Sequence, residues 1–252
     1  MPVLPGAEPF IREGDRTGVL LCHGFTGSPQ SLRPWAEFLA EAGLSVSLPR
    51  LPGHGTTWQE MARTRWEDWY TEVSRSFDEL RAGTDETFVM GLSMGGCLAL
   101  RLAELQGSAV AGLVLVNPSV TADSAAFALL PVAKYVLRSV KGIASDVKKE
   151  GASELGYTRV PVKAAATLPG LWRVTQSKLA EVTQPVLVYR STVDHVVSPR
   201  SLKLLREKLP AGQLEIRDCA NSYHVATLDN DAPGIFAGSL EFVRAHSRAG
   251  KG

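Results

Sequence analysis

The chain has 252 residues, of which 44% are hydrophobic, 21% charged and 7% aromatic, a profile that excludes disorder and collagen-like repetition and fits one domain with a modest insertion. Lys and Arg number 27 against 26 Asp and Glu, for a formal charge of +1. With no long like-charge run to track phosphates, no nucleic-acid partner is expected.

Short apolar, β-branched runs alternate with longer helical patterns. In chain order, residues 9–12 suggest an edge strand that turns at Gly14-Asp15 into a buried strand at 18–22. A helix follows at 31–42, a strand at 44–48, a helix at 58–81, a strand at 87–91, a helix at 94–105 and a strand at 110–116. Beyond a break come a strand at 185–189, a helix at 198–209, a strand at 213–218 and a helix at 232–245. Runs apolar on both faces belong to parallel sheets, with the helices as crossovers, so the expected class is α/β with a mostly parallel central sheet. The break, residues 118–184, shows no strand signal, only helical stretches interrupted at Pro131, Gly142, Gly151, Pro161 and Pro169. It reads as a helical cap insertion within a single domain of 1–252, lying over the carboxyl ends of the strands where such sheets bind ligands.

Gly91-Leu92-Ser93-Met94-Gly95 stands directly after one of these strands and directly before a helix. That context is a nucleophile elbow, in which the flanking glycines relieve a turn too tight for side chains. A serine hydroxyl is a weak nucleophile near neutral pH and needs a base, which in turn needs a carboxylate to fix its tautomer. In folds with this elbow the acid and then the histidine follow on later loops. Asp194 is the only acid in the loop after strand 185–189, and His224 ends the loop after the next strand. His195 competes as the base and Asp123 as the acid. His54 and His246 stand at the wrong places in the topology.

Acyl transfer builds charge on a carbonyl oxygen, which two backbone amides must hold. One is expected from Met94, after the nucleophile. The other is expected from Phe25 in the glycine-punctuated loop His23-Gly24-Phe25-Thr26-Gly27. His23 and His54 read as hydrogen-bonded structural residues, and Trp66, Trp69, Tyr70 and Val73 as core packing at helical spacing.

Other chemistries find no machinery: there is no dinucleotide fingerprint, Walker loop or His-Glu-x-x-His, so no cofactor and no metal are expected. Cys22, Cys97 and Cys219 are far apart and lack ligand spacing, which suits buried, reduced thiols. The N-terminus lacks a signal-peptide layout and no apolar run approaches the ~20 residues that span a bilayer, so a cytoplasmic enzyme is the expectation.

With these residues in hand, the chain resembles the bacterial monoacylglycerol lipases and thermostable carboxylesterases of the α/β-hydrolase fold. The likeness is carried by His23-Gly24-Phe25-Thr26-Gly27, the Pro52-Gly53-His54-Gly55 loop, Gly91-Leu92-Ser93-Met94-Gly95-Gly96, Asp194-His195-Val196-Val197, and the run from Asn221-Ser222-Tyr223-His224 to Asp229. It implies a cofactor-free serine hydrolase acting on a monoacylglycerol or another small ester, with a triad of Ser93, Asp194 and His224 and oxyanion amides at Phe25 and Met94. Gly24, Phe127, Leu130, Glu154 and Val196 are the expected substrate contacts. Glu154, in a Glu-Leu pair similar to one in the bacterial lipases, is placed to hydrogen-bond a glycerol hydroxyl, with a solvated helix charge as the alternative. The apolar cap segments 125–132 and 135–137 offer a surface for an acyl chain or for transient contact with lipid aggregates. Thioester cleavage, perhydrolysis, or ligand binding without catalysis remain open, because fold and triad do not select the leaving group.

Overall fold

The computed structural model describes residues 2–122, 133, 135–143 and 145–247. Strands β2 (Thr17–Cys22), β3 (Ser45–Leu48) and β4 (Glu86–Leu92) are buried at every position, and β5 (Val110–Val116) at all but one, as strands covered on both faces must be. With β1 (Phe10–Arg12), β8 (Val186–Ser191) and β9 (Leu214–Cys219) they form a seven-stranded sheet in the order β1-β3-β2-β4-β5-β8-β9. Only β1 runs antiparallel, against β3.

Alternate strand residues feed two separate cores, as a two-residue period requires. Leu20, Val89 and Leu115 face one core with Trp69 and Phe77 of α3 (Trp66–Ala82), Leu98 of α4 (Met94–Gln106) and Leu205 of the later helix Arg200–Lys208. Leu21, Met90 and Val114 face the other, with Trp35 and Leu39 of α1 (Arg33–Glu41) and Ile235 and Phe242 of the last helix, Ala232–His246. Cys22, Cys97 and Cys219 are buried free thiols, and burial pushes each up to about 12.

Two expectations need correction. The helix expected over 58–81 is two: α2 (Trp58–Met61) and α3. Local polar groups break the periodicity: Thr57 Oγ1 accepts the Glu60 N–H at 3.3 Å, and the Asp68 carboxylate accepts the Arg65 N–H at 2.9 Å, capping a fresh start. The stretch between β5 and β8, expected to lack strands, contains an antiparallel ribbon of β6 (Ser139–Lys141) and β7 (Arg159–Pro161). Strands of three residues, each with one central valine, are too short to show alternation. The same stretch holds helices α5 (Val162–Ala165) and α6 (Leu168–Gln176) and a 3-10 turn at Leu179–Glu181. Residues 123–132, including the expected contacts Phe127 and Leu130 and the competing acid Asp123, lie outside the described residues. No described helix is long and apolar enough to cross a membrane.

The turn from β4 into α4 places Ser93 at φ +55°, ψ −118°, a left-handed conformation that costs of order 1–3 kcal/mol for a residue with a side chain. Backbone bonds hold it there: Ser93 N–H donates to Val116 O, while Ser93 O accepts from Gly96 and Ser119, each at 3.0 Å. Gly95 lies so close to the end of β2 that a Cβ there would collide with the Cys22 carbonyl. Gly95→Ala should therefore destabilise the fold by about 3 kcal/mol or more, measured as a loss of urea midpoint; an unchanged midpoint would refute the close approach.

Candidate active site

Phe25, Ser93, Asp194 and His224 stand in the loops that follow the carboxyl ends of β2, β4, β8 and β9, so the parallel sheet gathers them at one edge. A cavity of about 260 Å³ opens there, and Ser93, Met94, Gly24, Phe25 and His224 all contribute to its wall. Glu154 and Val196 line it as well.

His224 is 6% exposed and is held from three directions. Its Nδ1 is 2.8 Å from Asp194 Oδ2, its carbonyl accepts from Asn117 Nδ2 at 2.8 Å, and its N–H donates to Asp146 Oδ2 at 3.1 Å. The Asp194 bond puts the ring proton on Nδ1 and leaves Nε2 able to accept another. Asp194 is itself fixed by the Val196 and Val197 amides, each donating to Oδ1 at 2.8 Å. Burial works to raise its carboxyl, but the hydrogen bond and charge of His224, helped by those two amides, hold it below the ordinary carboxylate value. Among the described residues no hydrogen bond joins Ser93 Oγ to His224; serine and imidazole share the cavity wall, and such bonds tighten when substrate is bound.

The loop after β2 owes its shape to buried polar groups. His23 Nε2 accepts the Leu51 N–H at 3.2 Å, so Nδ1 carries the proton and donates to Gly24 O at 3.0 Å. Thr26 sits at φ +65°, with its hydroxyl on Phe25 O at 2.6 Å. The Phe25 ring packs against Trp69, with centroids 5.6 Å apart, and against the edge of His54. Phe25 shares the cavity wall with Met94, the first residue of α4, and the leading amides of a helix have no partner within it.

Three expected positions have further partners. His195, the competing base, is a rim residue with a half-exposed side chain; its Nδ1 pairs with Asp146 Oδ1 at 2.8 Å rather than with the serine. His54 is fully buried, its Nδ1 bonded to the Pro52 carbonyl. Glu154 faces the cavity where Gly27 leaves room, since a Cβ on Gly27 would run into its carboxylate. Burial raises the Glu154 carboxyl to about 7, with the charge of His224 and the Ser31 hydroxyl opposing the shift.

Asn117 and Asp146 escaped the sequence reading. Asn117 marks the end of a strand in sequence, but nothing there shows that it adopts φ +44° and accepts the Ser191 N–H at 2.8 Å besides holding His224. Asp146 stands in a polar stretch between β6 and β7 with no motif. Trp172 and Leu168, which line the cavity from α6, carry the ordinary helical spacing of core residues.

Burial lowers the His23 ring to about 4, the Gly24 bond opposing and the Arg50 charge adding; His54 is lowered too, by burial and then by the neighbouring His23. The unfolded chain takes up protons near 6.5 that the folded chain refuses, so stability falls as pH drops from about 6.5 towards 4, by an order of 3 kcal/mol for His23. The urea midpoint should decline over that range while the His23 ring resonance stays constant from pH 7 to 5. A ring titrating near 6.5 in the folded protein would contradict this.

Comparison with known proteins identifies the family. The model of the serine aminopeptidase S33 family matches residues 14–231. A thermostable monoacylglycerol lipase of Bacillus sp. (strain H-257) is 42% identical over 246 residues, covering 98% of each chain. A carboxylesterase of Bacillus subtilis (strain 168) is 24% identical, covering 94% of this chain and 96% of its own. Among solved structures, a metagenome-derived lipolytic enzyme superposes with a TM-score of 0.94 at 42% identity, over 97% of this chain and 100% of its own. The chain is thus a serine hydrolase of the α/β-hydrolase fold and belongs to the serine aminopeptidase S33 family.

Proposed function

We propose that the protein hydrolyses carboxylic esters, monoacylglycerols foremost, through an acyl-enzyme on Ser93. The observation that carries this reading is the buried Asp194–His224 pair opening onto the same cavity as a serine held at positive φ. Ser93 Oγ attacks the ester carbonyl carbon as His224 Nε2 takes the hydroxyl proton, and Asp194 stabilises the imidazolium. Negative charge on the former carbonyl oxygen is met by the Phe25 and Met94 amides. The C–O bond to the alcohol then breaks, His224 returning its proton to the departing oxygen. Water, deprotonated by His224, attacks the acyl-enzyme, and collapse frees the acid and Ser93.

The relatives named monoacylglycerol lipase and carboxylesterase support this substrate class. Glu154 is the only carboxylate besides Asp146 among the described lining residues, and we assign it to the glycerol hydroxyls, with Gly24 and Val196 beside the ester. The insertion 118–184 serves in this reading as a cap. Tyr135 and Val136, each 81% exposed, present an apolar edge for lipid aggregates. Three free thiols suit the cytoplasm.

Ser93→Ala should lower kcat on p-nitrophenyl butyrate by about 10⁶-fold with the thermal midpoint retained; a variant working at the wild-type rate would remove the assignment. Glu154→Gln should lower the ratio of kcat/KM for monoacylglycerol to that for p-nitrophenyl butyrate by about tenfold. In the wild type that ratio should fall as pH drops through about 7, where Glu154 gains its proton. A pH-independent ratio, unchanged by the substitution, would free Glu154 from the glycerol end.

A further inference from the structure

Asp146 belongs to the cap, yet its carboxylate reaches both loops that carry the acid and the base. Its Oδ2 accepts the N–H of His224 at 3.1 Å and the N–H of His195, the residue after Asp194, at 3.2 Å. Its Oδ1 pairs with the His195 ring at 2.8 Å, and that ring stands edge-on to Tyr223, centroids 4.7 Å apart. The side chain is only 9% exposed. The main chain repeats the link: Val225 N–H donates to Asp146 O at 3.0 Å.

A reciprocal link lies one layer out. Asp229, 1% exposed and on the His224 loop, accepts the cap amides of Lys148 at 2.6 Å and Lys149 at 2.9 Å, as well as Tyr223 N–H at 2.9 Å. Each partner therefore sends one buried carboxylate into the backbone amides of the other. Bonds from backbone amides to an ionised carboxylate are among the stronger hydrogen bonds, and here they reach the main chain at Tyr223 and His224.

We propose, building on the ester-hydrolase reading above, that Asp146 is a positioning residue through which the seated cap sets the spacing of Asp194 and His224. The cap is then more than a substrate wall: lifting residues 145–149 removes the acceptor of the His224 N–H and releases the acid loop at His195. Asp146 also adds a negative charge behind the imidazolium. The charged groups facing His224 are Asp194, Asp146 and Glu154, with Asp229 and His195 one contact further out.

The test is kcat per active site, counted by stoichiometric fluorophosphonate labelling, for the wild type, Asp146→Ala, Asp146→Asn and the exposed control Glu150→Gln. For Asp146→Ala the expected result is a loss of about 10- to 100-fold in per-site kcat with KM within about threefold of wild type. Asp146→Asn keeps an oxygen acceptor but not the charge, so its kcat should fall between the two and the acid limb of its kcat/KM profile should move to lower pH. Glu150→Gln should match the wild type. A folded Asp146→Ala protein with per-site kcat within about twofold of wild type overturns the proposal. Should Asp146→Ala fail to fold, Asp146→Asn decides: wild-type kcat together with an unmoved acid limb overturns it. Failure of the underlying reading looks different, since the wild-type enzyme would then take up no label at Ser93.

Discussion

The structure turns on one close approach. The first turn of α4 lies against the last residues of β2 at a distance that a single methyl group on Gly95 would prevent. That contact brings the loop after β2, with His23 and Phe25, beside the turn after β4 that carries Ser93, so the proposed nucleophile and the proposed oxyanion loop become neighbours through backbone packing. Tight turns of this kind are stable only when the surrounding structure over-determines them. Here the carbonyl of Ser93 accepts from Gly96 and Ser119 while its N–H reaches across to β5.

The site is assembled by buried polar groups that each serve two loops. His23 bridges the loop after β2 and the loop after β3. Asn117 bridges β5, β8 and the His224 loop. Such groups are costly to bury unless fully hydrogen-bonded, and once satisfied they specify geometry sharply. The low values forced on the His23 and His54 rings follow from the same economy of water: the interior admits them only uncharged.

Much of this was legible in the chain because strong local signals agreed with one another. The six longer strands read as apolar runs, and the observed limits differ from the expected ones by two residues at most; Gly91-Leu92-Ser93-Met94-Gly95 falls between strand and helix because only that context uses both glycines. The pairing of Asp194 with His224 was accessible for a topological reason, each standing in a loop after a late strand. What stayed hidden was set by tertiary contact. The split between α2 and α3 depends on Thr57 and Asp68 turning their side chains onto backbone amides, which a continuing apolar period conceals. The β6–β7 ribbon is made of segments too short to carry a period. Asp146 looks like any surface acid until the fold brings it against the backbone amides of His195 and His224.

The account stands or falls on where an oxyanion would sit. The most direct measurement is a crystal structure of the enzyme inactivated by an alkyl phosphonate. The phosphorus should be bonded to Ser93 Oγ, with one phosphoryl oxygen about 2.7–3.1 Å from both the Phe25 and Met94 amide nitrogens and His224 Nε2 within reach of the leaving-group position. Phosphorus on another residue, or a phosphoryl oxygen pointing away from both amides into solvent, would contradict it.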